Sequence, residues 1–311
     1  MKHMITSSPK QHILARKPVM ITVALMVCLL WGSAYPSIVA SYDLLNINTN
    51  DVFQVMLFAG MRFMISACLI FLYAFATGKS MKINLKGFKL IAVLGLIQTF
   101  GQYVFFFSGL RTVHPANGSI VSSLGVFMTV VIAHFVYKTD RLSPRKIAGL
   151  FIGVVGIIVL NGGASGGFTL AGEGSLFMAS FLGAVAGVYT KKLTTTLSPY
   201  AISAYQLLLG SSLLIITGGI GASNVHFTFT TASTPLLVYL GFISAAAFTL
   251  WSALLKHNQV SKVSIYKFSI PVFGVFLSFI FLQGAIDMAQ VMIALALVVS
   301  GIILINWHAP T

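Results

Sequence analysis

The chain has 311 residues, of which 57% are hydrophobic and only 8% are charged. Soluble domains carry about 25% charged residues, so the composition excludes a water-facing globular surface and predicts an integral membrane protein in a lipid bilayer. The formal net charge of +14 does not indicate nucleic-acid binding, because the cations lie between apolar runs and form no continuous basic face.

Ten apolar runs are long enough to cross a bilayer, since a membrane helix needs about 20 predominantly apolar residues. The first run follows the basic segment 1–18 and is too long for the core of a signal peptide, so we interpret it as an uncleaved helix. Pro115 and Pro144 open two later runs, where the first turn tolerates proline. The predicted spans are 19–40, 52–76, 87–109, 115–137, 144–161, 172–190, 199–219, 235–255, 263–282 and 287–306.

The basic residues outside the spans lie almost entirely on one side of the predicted bilayer. With the N-terminus inside, sixteen Lys and Arg side chains fall in inner segments, and Arg111 alone falls in an outer one. Positively charged loops stay in the cytoplasm. We therefore expect a multi-pass protein of the bacterial inner membrane with both termini cytoplasmic.

Short matches relate the two halves of the chain at a common offset of about 145 residues. GIIVLN at 156–161 matches GIILIN at 301–306, and Ser-Ile at 119–120 matches Ser-Ile at 264–265. Because each half holds an odd number of spans, the second half enters the membrane from the opposite side. The sequence thus predicts an all-α integral membrane fold with ten transmembrane helices in a 5+5 inverted repeat, which is typical of secondary transporters. The predicted parts are a cytoplasmic tail at 1–18 and two five-helix repeats at 19–165 and 166–311.

Two cations fall inside predicted spans, and ionisable groups in the membrane mark function by default. They are Arg62 in span 2 and Lys267 in span 9, whereas no carboxylate lies mid-membrane. Charge complementarity favours an anionic or zwitterionic substrate. The alternatives are a structural role for Arg62, which would hold backbone carbonyls, and snorkelling of Lys267 to the interface. His134 is the candidate for proton coupling, with a structural histidine as the alternative.

Uncharged polar and aromatic side chains predict the wall of a central cavity. Gln98 and Gln102 are four residues apart and are expected to share a helix face. Ser122 aligns with Lys267 in the repeat, so both are expected to face the same space. The alternative is hydrogen bonding between helices. The remaining predicted wall residues are Trp31, Tyr35, Asn117, Tyr205, Gln206 and Trp251, and the predicted hinges are Pro36, Gly125 and Pro271.

No motif indicates a cofactor, a metal or an enzyme. The two cysteines, Cys28 and Cys68, lie in apolar runs and form no CxxC pair. The sequence contains no GxxxxGK[ST] loop, which disfavours ATP-driven pumping. The His and acidic residues within the predicted spans do not supply paired acids, a Ser/His pair or a metal cluster, which disfavours an intramembrane enzyme. Small residues in span 5, from Gly149 to Gly156, predict close helix packing, either within the fold or in a homodimer.

Several short motifs resemble one family of transporters. They are LWGSAY at 30–35, MRF at 61–63, SGL at 108–110, RLS at 141–143 and IAG at 147–149. Together they resemble the EamA-type ten-helix branch of the drug/metabolite transporter superfamily. The Gly-Glu pairs that often end spans 4 and 9 in that family are replaced by Thr139-Asp140 and Gly284-Ala285.

The resemblance implies a secondary transporter that exports or exchanges amino acids or related small metabolites. It also implies that spans 3, 4, 8 and 9 line the pathway. The alternatives are an exporter of lipophilic cationic drugs and an organic-anion or phosphate-ester exchanger. A channel is a more remote alternative, because channels usually build the pore from repeated residues related by oligomer symmetry.

Overall fold

The computed structural model describes residues 12–113, 115–163, 169–282 and 287–306, with the side chains of 115–117 and 282 outside the description. All regular structure in these ranges is helical. The main helices are α1 (Lys17–Leu44), α2 (Val52–Thr77), α3 (Leu85–Leu110), α4 (Pro115–Val136), α5 (Pro144–Leu160), α6 (Leu170–Leu193), α7 (Pro199–Gly221), α8 (Ser233–His257), α9 (Val260–Phe281) and α10 (Met288–Asn306).

Within the described residues, nine of these helices are long and apolar enough to cross a membrane. The exception is α5, which has 17 residues and therefore stands at the lower limit for a membrane helix, about 17 residues. The prediction of a multi-pass helical membrane protein is confirmed. The helices follow the predicted runs, although α1 extends to Leu44 and α8 extends to His257.

Local sequence explains where several helices begin and end. The Asp51 carboxylate accepts hydrogen bonds from the backbone N–H groups of residues 53 and 54 at the start of α2. Ser143 caps α5 in the same way, and Pro144 follows it at the first position. These are ordinary N-cap interactions, because the first turn has unpaired donors. Gly78 ends α2 in the left-handed conformation, at φ 65°, which glycine adopts without a Cβ clash.

The helices pack in pairs that bring sequence-distant segments together. The main pairs are α2 with α7, α5 with α10, α3 with α6, α4 with α6, α1 with α9, α3 with α7, α1 with α8 and α2 with α8. Gly149 and Gly301 bring α5 and α10 close together, because a Cβ added to Gly301 would lie 2.6 Å from the Gly149 carbonyl oxygen. The glycine face of α5 is covered within the chain, by α10 at Gly149 and Gly156 and by Phe268 at Gly153.

Two helices change their winding near the middle of the bundle. In α3, residues Gly95–Gly101 form a π-helical segment. In α9, the first turns Val260–Ser264 are followed by a 3-10 segment, Ile265–Phe268, and the α-helix resumes at Ser269. Breaks of this kind in membrane helices are found around binding sites.

Hydrogen bonds show which helix ends lie together. The side chain of Lys17 at the start of α1 donates to the carbonyl of Asn306 at the end of α10 (3.4 Å). We call this the basic end. At the other end, Asn46 donates to Thr228 (2.9 Å), and Gln290 donates to the Val159 carbonyl (2.7 Å). We call this the opposite end.

Candidate functional site

A cavity of about 200 Å³ lies among α1, α3, α4, α6 and α9. It reaches Ser119 near the start of α4 and extends to Thr129, nearly three turns further along that helix. Its walls are mostly apolar, with a set of hydroxyl groups among them. The side chains used below are Tyr35, Gln102, Phe106, Ser119, Ser122, Ser123, Thr129, Ser180 and Lys267.

Lys267 is the cationic group in the cavity wall. It belongs to the 3-10 segment of α9, so the break in the helix determines where its side chain points. Its Nζ atom lies 5.7 Å from the ring centre of Trp31 and 5.0 Å from that of Trp251, in cation–π contact with both. Among the described residues it forms no ion pair, because the recorded pair joins Lys146 and Asp140. The ammonium is thus held by two indoles and turned towards the cavity without an anionic partner from that part of the chain.

The packing behind Lys267 fixes the broken segment. Phe268 is 1% exposed, and its ring lies against Gly153 of α5, where an added Cβ would come within 2.6 Å of two ring carbons. Cys28 of α1 donates its S–H to the Tyr266 carbonyl (3.2 Å). The segment therefore has support from α1 and α5, which holds the Lys267 backbone in place.

Hydroxyl groups of α4 and α6 form another part of the wall, which we call the hydroxyl wall: Ser119, Ser122, Ser123 and Thr129 of α4 with Ser180 of α6. The two helices approach closely at Gly125, where an added Cβ would lie 3.3 Å from Ser180. Gln102 reaches the cavity over Gly183, and a Cβ there would lie 3.0 Å from the amide nitrogen. Small residues thus bring the polar groups together.

Six of the predicted residues meet at this cavity. Ser122 and Lys267 both line it, as their alignment in the repeat predicted, together with Tyr35, Gln102, Gly125 and Pro271. The sequence reading missed Ser119, Ser123, Thr129, Ser180 and Phe106. A signal was present for α4, because 119, 122, 126 and 129 follow the helical spacing of one face.

Of the two glutamines predicted for the wall, Gln98 lies in the π-helical segment Gly95–Gly101, and Gln102 directly follows that segment. Gln102 lines the cavity, and Gln98 does not.

Two further residues predicted for the wall pack elsewhere. The Gln206 side chain accepts a hydrogen bond from the Thr99 hydroxyl (2.5 Å) and is 1% exposed. It connects α7 to α3, which is the alternative of hydrogen bonding between helices. Tyr205 packs edge-on against Phe71 and Phe88, outside the cavity wall.

Trp31 and Trp251 lie behind Lys267 and are not among the cavity-lining residues. Arg62 is 6% exposed and also lies outside the wall. Its guanidinium carbon is 4.5 Å from the ring centre of Phe63 and 6.0 Å from that of Tyr103, whereas its Nε has no partner in the described region. Arg62 therefore lies among aromatic side chains, away from the cavity wall.

The remaining predicted residues have local roles or lie outside the description. His134 accepts a hydrogen bond at Nδ1 from the Leu142 backbone N–H (3.1 Å), so it ties the loop after α4 to that helix. Pro36 is buried inside α1 and does not line the cavity. The side chain of Asn117 lies outside the described residues. Among those that are described, no three His, Cys, Asp or Glu side chains form a group able to hold a metal.

The basic end is closed by polar contacts around Asp140, which is 1% exposed. Its carboxylate pairs with Lys146 (2.7 Å) and accepts hydrogen bonds from Ser261, one from the backbone N–H (2.9 Å) and one from the hydroxyl. Gln259 donates to the Thr139 carbonyl (2.7 Å). Residues 139–146 and 259–261 are far apart in sequence, so these bonds fasten two distant segments together.

A second cavity of about 190 Å³ lies at this closure, lined in part by Tyr137, Asp140 and Lys191. Burial, reinforced by the negative charge of Asp140, raises the pKa of Tyr137 to about 12. The phenol therefore keeps its proton and donates to the Val188 carbonyl (2.8 Å). Lys191 donates to the Asn258 carbonyl (3.0 Å), so the cavity is enclosed by groups that already have partners.

A bundle of membrane-spanning helices around a cavity that carries hydroxyl groups and one lysine, with a helix broken at that lysine, has the architecture of a membrane transporter. The sequence profile of the EamA-like transporter family matches residues 18–162 and again 170–307. The chain belongs to this family, and it is a transporter of the drug/metabolite transporter superfamily and not an enzyme.

Individual relatives agree with this assignment. The chain is 26% identical to a probable amino-acid metabolite efflux pump of Salmonella typhimurium, over 81% of this chain and 83% of that protein. It is 27% identical to the aromatic amino acid exporter YddG of Ancylobacter novellus, over 67% of this chain and 73% of that protein. A protein of known crystal structure shares the fold with a TM-score of 0.77 at 21% identity, covering 92% of this chain and 95% of that one.

Proposed function

We propose that the chain is a secondary transporter that exports or exchanges small zwitterionic or anionic metabolites, with amino acids as the leading class, by alternating access around the central cavity. The observation that carries the proposal is Lys267, a cation in a hydroxyl-lined cavity without an ion pair in the described part of the chain. A substrate carboxylate would supply the counter-charge. The printed names of the two relatives, an amino-acid metabolite efflux pump and an aromatic amino acid exporter, support this class.

The helix pairing supports a 5+5 inverted repeat of ten spans. If each helix of the first five is exchanged with its counterpart in the second five, the pair of α2 with α7 and the pair of α5 with α10 map onto themselves. The same exchange maps the pair of α4 with α6 onto that of α9 with α1, and the pair of α1 with α8 onto that of α6 with α3. A two-fold relation between the halves produces this pattern. The two separate matches to the family profile, 18–162 and 170–307, agree with repeats at 19–165 and 166–311. α5 then counts as the tenth span, packed along α10.

The closure of one end supports alternating access. Asp140 belongs to the first proposed repeat and Ser261 to the second, and their hydrogen bonds close the basic end. The cavity lies beyond this closure, towards the opposite end. The positive-inside rule places the basic end, with both termini, in the cytoplasm of a bacterial cell. This conformation therefore faces outward, and release of Asp140 from Ser261 would open the cytoplasmic side. The cavity is formed within one chain, so the proposal requires no homodimer.

A second candidate is an organic-anion or phosphate-ester exchanger, because a single ammonium group suits those ligands as well. An exporter of lipophilic cationic drugs fits the cavity poorly. Its described lining residues include one cation and no carboxylate, and like charges in a low-dielectric cavity repel.

The test is a thermal-shift screen of the purified protein with amino acids, organic acids, phosphate esters and cationic drugs, since a ligand that binds the native state raises its apparent stability. Lys267→Met keeps an unbranched side chain between the two indoles and removes the charge. Lys262→Met on the same helix, outside the cavity, is the matched control. The proposal predicts that a carboxylate-bearing ligand stabilises the wild type and Lys262→Met but not Lys267→Met. Stabilisation by cationic drugs alone, unchanged in Lys267→Met, would show that it is wrong.

A further inference from the structure

Residues 12–16, which precede α1, lie against the end of α8 at the basic end, and we call them the N-terminal strap. The imidazole rings of His12 and His257 are stacked, with 3.7 Å between the ring centres and an angle of 4° between the ring planes. The side-chain amide of Asn258 donates a hydrogen bond to the Leu14 carbonyl (2.9 Å). The strap is thus fastened to the connection between α8 and α9.

The same connection takes part in the closure at the basic end. The Asn258 carbonyl accepts a hydrogen bond from the side chain of Lys191 of α6 (3.0 Å). Three residues further along the chain, the backbone N–H of Ser261 donates to the Asp140 carboxylate (2.9 Å). Asn258 therefore joins the strap to the closure.

The contacts of His12 depend on an uncharged ring. Its Nδ1 atom accepts a hydrogen bond from the Leu14 backbone N–H (3.2 Å), which caps the 3-10 turn Ile13–Ala15. A protonated imidazole is a donor at both nitrogens and cannot accept. Protonation of His12 therefore removes this bond. If His257 is protonated as well, two like charges face each other across the stack, and they repel.

The charges around the stack do not offset this repulsion. Asp140 lines the second cavity together with His257, but its charge is balanced by Lys146. A histidine in water has a pKa of about 6.5, so proton uptake that releases the strap falls just below neutral pH. The other charged groups of the strap, and those that act electrostatically on His257 from α6 and α8, are all basic: Arg16, Lys191 and Lys256.

We propose that the N-terminal strap is a pH-sensitive restraint on the cytoplasmic closure, which stays docked while His12 and His257 are neutral and is released when both are protonated. The proposal rests on the proposed transport function, in which the closure at Asp140 opens to the cytoplasm. Acidification of the cytoplasm then frees Asn258 and favours opening. Because the docked state excludes the second proton, the ratio of released to docked strap rises about tenfold between about pH 8 and about pH 5.5.

Docking of the strap is measured by pulsed electron spin resonance on the full chain in lipid nanodiscs, between labels on Ile13→Cys and Lys86→Cys. Both positions are exposed. The exposed Cys68 is replaced by Ala, and the buried Cys28 is kept. We expect a narrow distribution of distances at about pH 8, and at about pH 5.5 a second population with the tenfold rise in released strap.

Two variants separate the charge of the stack from its shape. His257→Phe keeps an aromatic ring against His12 and takes up no proton, so the change with pH should fall severalfold. His12→Asn keeps a side chain that can accept the capping hydrogen bond and removes the titrating group, so the change with pH should be lost. His226→Phe, at an exposed position in the loop before α8, is the matched control and should respond as the wild type does.

Hydrogen exchange over residues 258–263, followed by mass spectrometry, reports on the closure because the Ser261 N–H donates to Asp140. At about pH 5.5 this segment should exchange faster in the wild type than in His257→Phe, and at about pH 8 the two should exchange alike. Each comparison is made at a single pH, so the intrinsic dependence of exchange on pH cancels.

The outcomes separate the strap from the transport proposal beneath it. A wild-type ratio that does not change with pH, or changes in His257→Phe and His12→Asn as large as in the wild type, would overturn the pH-sensitive restraint. Release of the strap without faster exchange at 258–263 would overturn its action on the closure. Neither result bears on ligand binding at Lys267, on which the transport proposal depends and which the thermal-shift screen tests.

Discussion

The closure at Asp140 makes a quantitative prediction for Ser261→Ala. Ser261 is fully buried and Asp140 is 1% exposed, so the hydroxyl-to-carboxylate bond is shielded from water. Hydrogen bonds to a charged group contribute about 1.5–3 kcal/mol. The backbone bond from Ser261 (2.9 Å) and the ion pair with Lys146 (2.7 Å) remain in the variant. Removing the hydroxyl should therefore shift the equilibrium from closed to open at the basic end by roughly tenfold to a hundredfold.

The assay is pulsed electron spin resonance between labels on cysteines that replace Lys138 and Lys256. Both lysines are exposed near the basic end, one in each proposed repeat. Cys68 is exposed and is replaced by Ala in every variant, whereas Cys28 is buried and is kept. Ser261→Ala should increase the population of long distances between the labels.

Ser223→Ala is a matched control at the opposite end. Ser223 donates to Asp51 from its backbone N–H (3.0 Å) and its hydroxyl (3.1 Å), which repeats the arrangement at Asp140 in an exposed setting. This variant should leave the distances at the basic end unchanged. An unchanged distribution in Ser261→Ala, or an equal change in Ser223→Ala, would refute the assignment of Asp140 as the closure.

Three further predictions concern packing, helix connection and pH. Gly153→Ala places a Cβ 2.6 Å from the ring of Phe268. Because overpacking of this kind costs about 1–3 kcal/mol, the melting temperature should fall and ligand affinity should weaken. An unchanged ligand affinity would contradict the role of this contact. Gln206→Met removes the acceptor of the buried Thr99 hydroxyl. It should lower the melting temperature by an amount equivalent to about 1–3 kcal/mol and leave ligand affinity unchanged. Lost affinity at normal stability would show that Gln206 belongs to the binding site. Burial raises the pKa of Asp51, but hydrogen bonds led by Ser223 outweigh it, and the net pKa lies below the ordinary value of 3.8. The hydrogen bonds to the ionised Asp51 carboxylate therefore stabilise the folded state fully above pH 3.8, and this stabilisation is lost as the pH falls through the lowered pKa. The stability difference between wild type and Ser223→Ala, measured by chemical denaturation, should be present at pH 7 and vanish in strong acid.

The fold followed from the sequence because lipid imposes simple constraints. Backbone groups in a bilayer must be satisfied internally, so long apolar runs such as 52–76 predict helices with little ambiguity. The short α5 shows the limit of this reasoning, because its 17 residues do not by themselves decide whether it spans the membrane, and its packing against α10 is needed as evidence. The assignment of Lys and Arg residues to the inner side also depends on counting α5 as a span.

The site was predicted less completely, because side-chain direction depends on local winding and on partners that are distant in sequence. Gln98 lies in a π-helical segment that no residue pattern indicated, and it does not line the cavity. Gln206 was satisfied by Thr99, a contact across 107 residues. Lys267 was found as a cation inside a predicted span, and Ser122 was found through its alignment with Lys267 in the internal repeat. Thr129 was missed although its helical spacing from Ser119 and Ser122 places all three on one face, because a shared face does not by itself show which space that face meets.

The central claim is that Lys267 anchors the carboxylate of a transported substrate. The most direct test is counterflow of radiolabelled L-phenylalanine and L-leucine in proteoliposomes preloaded with the same amino acid, comparing wild type, Lys267→Met and Lys262→Met at equal reconstituted amounts. We predict accumulation of label with the wild type and Lys262→Met and none above protein-free liposomes with Lys267→Met. Undiminished counterflow through Lys267→Met would contradict the claim.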